Sequence, residues 1–280
     1  MTPAPRRRLD SDLVRRGLVV NRQAAQDAVA AGRVLVSGSV AERSSRLVAP
    51  GEPVELVGEA PRFVSRGGEK LDAALDRFAV DVRGRVALDA GASTGGFTDC
   101  LLQRGAALVL AVDVGHGQLH PSLRANARVV VLERVNVRRL TPDALWAAAG
   151  RDPVPVDVVT ADLSFISLRM VVPVFAGPLA RDGADLVLLV KPQFEAGRSE
   201  VSRGRGVVRD PAVWLRALEG VASSLAEAGA AIMDVMRSPI TGASGNVEFL
   251  VHATVRRQHA VPGGPAVAGL LRAAVGGQER

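Results

Sequence analysis

Tyrosine is absent from this chain, aromatic residues make up 3% of it, and lysine occurs only twice among 35 basic residues, at Lys70 and Lys191. So few rings rule out a surface that grips flat ligands mainly by stacking, and leave shape and charge as the means of recognition. Cys100 is the one cysteine, which excludes an intramolecular disulfide and a cysteine-built zinc site and suits a reducing cytoplasm. It reads as a buried spectator. No apolar run approaches the roughly 20 residues that span a bilayer, and Met1 to Asp12 is basic with no apolar stretch behind it, so neither membrane insertion nor secretion is expected. The shortage of lysine is the most informative. Arginine replaces lysine wherever a solvated positive charge suffices, but it stays protonated and cannot serve as a base. A chain drifted toward arginine keeps lysine where chemistry requires it; the alternative is survival by chance, and the surrounding motifs decide between them.

What the chain has in quantity is apolar and basic. With 48% hydrophobic and 23% charged residues among 280, it can bury a sizeable core as one large domain or two smaller ones. A net charge of +6 and a pI near 10.9 favour a polyanionic partner such as nucleic acid, against the alternative that arginine richness reflects genomic composition. Residues 1–60 read as one compact unit. A helix from Leu9 to Arg16 stops at Gly17, a second from Arg22 to Ala31 is capped by Asn21 and stops at Gly32, and short strands follow at Val34 to Val36, Val40 and Val54 to Val57. The run "RLDSDLVRRGLVVNRQAAQDAVAAGRVLVSGSV" with the later "LVAPGEPVEL" resembles the ribosomal S-four-like RNA-binding domain, a small α+β fold. That resemblance implies RNA contact by Arg6, Arg7, Arg8, Arg15, Arg16 and Arg22. A solvated helix face is the alternative for any one of them.

Residues 61–64 read as a linker, residues 65–258 as a second domain, and residues 259–280, rich in Gly, Ala and Pro with one apolar stretch from Val267 to Val275, as a flexible tail. In the second domain strands alternate with helices, as a parallel sheet requires. Strands are expected at Val86 to Asp89, Leu108 to Asp113, Val129 to Leu132, Val156 to Ala161, Leu186 to Val190, Ala231 to Met236 and Val247 to Ala253. Helices are expected at Glu69 to Phe78, Gly96 to Arg104, Pro142 to Ala149, Leu168 to Leu179 and Pro211 to Ala228.

"VALDAGASTGGFTDCLL" is an apolar strand, a glycine-rich turn and an apolar-periodic helix, the layout of a nucleotide-cofactor loop at the carboxyl end of a first strand. Gly91 and Gly95 are separated by Ala92, Ser93 and Thr94, so the G-x-G-x-x-G dinucleotide fingerprint fails and a pyrophosphate is not the expected guest. Asp89 at the strand end suits an amine-bearing ligand such as S-adenosylmethionine, and Asp113 closes the next strand where a ribose diol needs an acceptor. Gly96 and Phe97 open the following helix. Asn136 and Val137 in "ERVNVR" follow the third strand, where side-chain and backbone polar groups can hold adenine. A merely tight connection is the alternative for the glycine turn.

Asp162 follows one strand and Lys191 the next, so on a parallel sheet both converge on one rim, beside the cofactor, while Lys70 and Glu248 arrive from outer elements. Two ammoniums held by two carboxylates give a lysine able to take a proton from a substrate hydroxyl. Bland alternatives exist singly: Asp162 as a helix cap, Glu248 paired with Arg237, either lysine in a structural ion pair. Jointly the order Lys70, Asp162, Lys191, Glu248 matches the K-D-K-E tetrad of FtsJ-like RNA ribose 2′-O-methyltransferases. "FVSRGGEKL", "LDAGASTGGFTD", "ADLSFISL", "LLVKPQFE" and "SPITGASGNVEF" resemble the TlyA, or hemolysin A, branch of that family from about Leu9 to Ala253.

The resemblance implies a Rossmann-like α/β seven-strand methyltransferase sheet behind the S-four-like domain. It implies methyl transfer from S-adenosylmethionine to cytidine 2′-hydroxyls of ribosomal RNA, with Lys191 as base, Asp162 assisting, and Lys70 with Glu248 completing the site. Arg6 to Arg8 are similar to the extension of members acting on both ribosomal subunits. The linker departs from the family's R-x-W-V: here it is Pro61-Arg62-Phe63-Val64, with Phe63 available for the aromatic role. Arg66, Arg134, Arg138, Arg203, Arg205 and Arg209 are expected to meet phosphates, and Gly197 to Gly206 to form a substrate loop. No metal ligand set is expected, and a cytoplasmic monomer working on ribosomal subunits is. A non-catalytic RNA-binding assembly factor and a membrane-lytic protein are the competing classes; the sequence has no spanning helix or barrel-like strand series to support the second.

Overall fold

The structure, a computed structural model, describes residues 6–58, 61–197, 206–242, 245–256 and 265–277. The chain divides into two compact units, Met1–Arg66 and Gly67–Arg280. In the first, β1 (Arg7–Arg8) leads into α1 (Leu9–Arg15) and α2 (Arg22–Ala30), followed by β2 (Val34–Val36), β3 (Ser39–Val40), β4 (Leu47–Val48) and β5 (Val54–Leu56). Asn21 caps α2 by accepting from the Ala24 amide at 2.9 Å, and Gly17 and Gly32 turn out of the two helices with φ of +70° and +67°. A three-stranded antiparallel sheet, β3-β2-β5, joins the helices around Leu9, Leu13, Ala25, Val29, Val34 and Val54. The pairing of β1 with β4, Arg7 opposite Val48, has no counterpart in the sequence reading, because two basic residues give no strand pattern.

The second unit runs α3 (Gly67–Arg77), β6 (Val86–Ala90), α4 (Gly96–Gln103), β7 (Leu108–Asp113), α5 (Pro121–Arg124), β8 (Val129–Glu133), α6 (Pro142–Ala149), β9 (Val156–Ala161), α7 (Val172–Val174), β10 (Ala180–Val190), α8 (Pro192–Glu195), α9 (Pro211–Glu227), β11 (Ala230–Arg237), β12 (Phe249–Val255) and α10 (Pro265–Gly276). Its seven-stranded sheet has the order β8-β7-β6-β9-β10-β12-β11, parallel from β8 to β10 and antiparallel on either side of β12. Strand order reverses between β6 and β9, which places the ligand crevice at their carboxyl ends. Apart from the irregular start of β10, the central strands are buried along nearly their whole length, as a sheet covered on both faces requires. Leu88, Leu110, Val159 and Leu188 pack with Trp146, Phe175, Trp214 and Leu218 in one large core.

Three expectations need correction. The helix expected from Leu168 to Leu179 is broken into short turns, because Pro178 lacks a donor and Gly177 is not helical, at φ −79° and ψ −120°. Glu248 stands before β12 rather than inside it. The segment expected to be a flexible tail contains α10, whose Leu271 and Ala274 are buried in the main core. No helix among the described residues is long and apolar enough to cross a membrane.

Candidate active site

Asp162 follows the last residue of β9 and Lys191 the last residue of β10, parallel neighbours, so both leave the sheet at its carboxyl rim. Because β12 runs antiparallel to β10, with Phe249 opposite Val190, its start lies on that rim too, and Glu248 immediately precedes it. Lys191 Nζ is 2.5 Å from Asp162 Oδ1 and donates to Ser164 Oγ at 3.1 Å. Asp162 Oδ1 is buried against that ammonium, which holds the carboxylate in place. Lys70, in the first turn of α3, donates to Glu248 Oε2 at 2.5 Å, and both are buried. Removing one partner of such a pair strands a buried charge, at a cost of about 3–5 kcal/mol. The four residues therefore form two ion pairs on one rim.

The turn before Glu248 is shaped to it. A Cβ on Gly242 would lie 2.5 Å from Glu248 Oε1, so a side chain there would push the carboxylate aside. Asn246, buried, accepts from the Val208 amide and donates to the Gly206 carbonyl, each at 2.9 Å, tying the segment after residues 198–205 to the turn.

The loop from β6 to α4 borders this rim. Gly91, at φ +84°, has no room for a side chain: a Cβ would lie 2.6 Å from the Asp162 carbonyl oxygen. Gly95, at φ +103°, would meet Leu123 at 2.2 Å. Asp113 accepts from the Ser93 amide at 2.8 Å and the Gly115 amide at 2.6 Å, which aims its carboxylate while leaving lone pairs for hydroxyl donors. Residues 91–96 include no basic side chain, and the Asp113 carboxylate bound to the Ser93 amide sets an anionic acceptor beside the loop, which repels a phosphate. An acceptor-rich, glycine-tight loop fits an adenosyl ligand bearing an amine and a ribose.

Some expected cofactor contacts are placed differently. Asp89 is fully buried, accepting from Thr98 Oγ1 at 2.6 Å and Thr160 Oγ1 at 3.2 Å, so it braces the loop from behind. Burial pushes its carboxyl up to about 7, against the threonine bonds and with the Asp162 charge adding to the rise. Gly96 and Phe97 are buried, the Phe97 ring in the interior where it supports the turn. Asn136 is exposed and accepts from the Arg138 amide at 3.0 Å, leaving its NH₂ group outward, while the Val137 side chain is buried.

Arg134, Arg138 and Arg209 are exposed on the second unit. Arg203 and Arg205 lie outside the described residues, as does nearly all of the expected substrate loop. Arg66 ends the first unit. Arg6, Arg7, Arg8, Arg15 and Arg22 are exposed, whereas Arg16 is turned inward, donating to Asp12 Oδ2 at 2.5 Å and the Glu52 carbonyl at 2.9 Å, so it serves the fold and not a phosphate.

Sequence reasoning missed Ser164, Phe165, Phe194 and Glu195. Phe165, three residues after Asp162, is 92% exposed with φ +64°, a conformation an aromatic residue adopts only under constraint. Its ring lies 5.2 Å from that of Phe194, which in turn has Lys191 Nζ 6.0 Å from its centroid. Glu195, buried, accepts from Ser167 Oγ at 2.5 Å and the Leu168 amide at 2.7 Å, stapling the loop that carries Phe165 to the turn after Lys191. Burial pushes the Glu195 carboxyl up against those bonds. Both phenylalanines stand in motifs singled out above, but a lone Phe in a sequence reads as core, and only its exposure marks it.

The FtsJ-like methyltransferase family matches residues 63–255 and the S4 domain matches residues 7–54. The Mycobacterium tuberculosis protein named 16S/23S rRNA (cytidine-2′-O)-methyltransferase TlyA is 50% identical over 249 residues, covering 89% of this chain and 90% of that protein. YqxC of Bacillus subtilis is 45% identical over 251 residues, covering 88% of this chain and 84% of its own. Among solved structures, a hemolysin-named protein from Streptococcus thermophilus is 36% identical with a TM-score of 0.74, covering 96% of both chains.

Proposed function

The chain belongs to the FtsJ-like methyltransferase family, in its TlyA branch, and on that premise we propose that it is a ribosomal RNA cytidine 2′-O-methyltransferase using S-adenosylmethionine and acting on both ribosomal subunits. The observation that carries this reading is the pairing of Lys191 with Asp162 and of Lys70 with Glu248 on one sheet rim, beside the glycine loop.

S-adenosylmethionine, when bound, supplies a methyl group on a sulfonium, which leaves alignment and proton removal to the protein. Asp113 would accept from the ribose hydroxyls, the Asn136 amide and Val137 backbone would border the adenine, and the Asp162 carboxylate would face the methionine amine. Lys191 Nζ, after giving up the proton of its resting ion pair to solvent, takes the proton from the substrate 2′-hydroxyl as its oxygen becomes nucleophilic, and Asp162 and Ser164 hold the resulting ammonium in place. A positioned base of this kind contributes roughly 10²- to 10⁴-fold. Lys70, fixed by Glu248, presents a second positive charge to the developing oxyanion. The exposed Phe165 ring offers a face on which a cytosine drawn from its stack can rest, an exception to the general poverty of rings. Residues 1–60 dock RNA, residues 65–258 carry the reaction, and Phe63 in the linker takes the aromatic role. The protein works as a monomer in the cytoplasm, where ribosomal subunits are found.

Transfer of tritiated methyl from S-adenosylmethionine to isolated small and large subunits, followed by mapping of the alkali-resistant linkage, tests the reading. Label at a cytidine ribose in each subunit is expected. Label on a base, or none despite RNA binding, would overturn it, the latter leaving an RNA-binding assembly factor.

A further inference from the structure

Four arginines of the first unit are arranged in pairs around two buried acids. Asp10, with no exposed surface, accepts from Arg8 Nε at 3.2 Å and Arg8 Nη2 at 2.8 Å, and from Arg22 Nη2 at 3.1 Å. Asp12, 1% exposed, accepts from Arg15 Nε at 3.0 Å and Arg15 Nη2 at 2.8 Å on one oxygen and from Arg16 Nε on the other. The Ser11 amide and hydroxyl fix Asp10 further, at 2.7 and 3.1 Å. A guanidinium has five N–H donors in a rigid plane. Arg8 and Arg15 each use the Nε edge on a buried carboxylate, which leaves Nη1 and half of Nη2 for an outside partner. Their side chains are 47% exposed, and that of Arg22 is 59% exposed.

Resting on the RNA-binding reading of this unit, we propose that Asp10 and Asp12 are positioning residues of the RNA-docking face, each anchoring guanidiniums from beneath so that their outer edges meet phosphates already oriented. Two acids on a face meant for a polyanion look counterproductive by charge alone. They make sense as anchors. A free arginine side chain is ordered only when it binds, and that ordering weakens association; an arginine already held at its Nε edge has less freedom left to lose. A phosphate also takes paired N–H groups better than a point charge, so the presented edge adds geometry to attraction. The same arrangement explains why Arg16, whose Nη1 is turned to the Glu52 carbonyl, is left out of the face.

The test measures binding of the full chain to isolated large ribosomal subunits by filter retention, from about 0.05 to 0.3 M KCl. Arg8→Lys and Arg15→Lys keep the charge but cannot make the side-on fork. Their Kd is expected to rise about three- to tenfold with the slope of log Kd against log salt unchanged, since the same number of charges meets phosphate. Asp12→Asn is expected to weaken binding by a similar factor although it removes a negative charge. Thermal unfolding accompanies each variant; where an Asp variant fails to fold, the lysine variants decide, because they alter half-exposed side chains only. Lysine variants that bind as the parent does, or a folded Asp12→Asn that binds more tightly, would overturn the proposal while leaving RNA binding intact. A parent that does not bind subunits at all would defeat the RNA-binding reading and this inference with it.

Discussion

Asp89 sits wholly inside the protein between two threonine hydroxyls, and burial raises its carboxyl to about 7 from 3.8. A carboxyl whose folded value lies above its unfolded one contributes stability that is full below about pH 3.8 and is lost as pH rises through about 7. Asp89→Asn keeps hydrogen-bonding capacity toward both threonines without the charge. At about pH 8 the variant is expected to be more stable than the parent by on the order of 2–4 kcal/mol in urea unfolding, with the gap closing toward about pH 4. Equal stability at the higher pH would show that the buried carboxylate costs nothing. A cationic ligand near the loop favours the ionised form, so parent affinity for S-adenosylmethionine is expected to strengthen between about pH 6 and 8, while the Asn variant binds more weakly and without that dependence. Calorimetric titration at both pH values reads the difference.

Helices with both ends marked were legible in the sequence. α6 runs from Pro142 to Ala149 as expected, because Thr141 caps its start at the Ala144 amide and Gly150 turns its end at φ +62°. α10 carries the same signals, Pro265 at its first turn and Gly277 at φ +69° just past its end, but in a stretch so rich in Gly, Ala and Pro they read as loop composition. What makes it a helix is tertiary. Leu271 and Ala274 complete the core against α9 and β11, a partner that local sequence does not announce. Leu271→Ala is expected to destabilise the protein by about 2–4 kcal/mol, a loss that equilibrium unfolding would detect. A change within about 0.5 kcal/mol would place α10 outside the core. The opposite error came from Leu168 to Leu179, where apolar periodicity promised one helix and Gly177 with Pro178 prevented it.

For the molecule as a whole, alternation of strands and helices was enough to anticipate a parallel sheet, and the sheet brings together residues far apart in sequence: Lys70 and Glu248 are 178 positions apart. Lys70, on a helix, and Glu248 were pointed to by the resemblance to a K-D-K-E order, whereas the meeting of Asp162 with Lys191 was legible because neighbouring strand ends converge. Phe165, Glu195 and Asn246 were not, because their roles depend on exposure, burial and loop shape that residue type alone leaves open. Scarcity of lysine remains the chemical thread, since 33 of 35 cationic positions hold a group that cannot give up its proton and the other two hold lysine. Lys191→Arg tests that thread most directly, because it preserves the positive charge beside Asp162 and removes the capacity to accept a proton. Single-turnover methyl transfer to ribosomal subunits is expected to fall by about 10²-fold or more, as it would for Lys191→Ala, with S-adenosylmethionine affinity and subunit binding near those of the parent. An arginine variant that transfers methyl at close to the parental rate would contradict a lysine base at this rim.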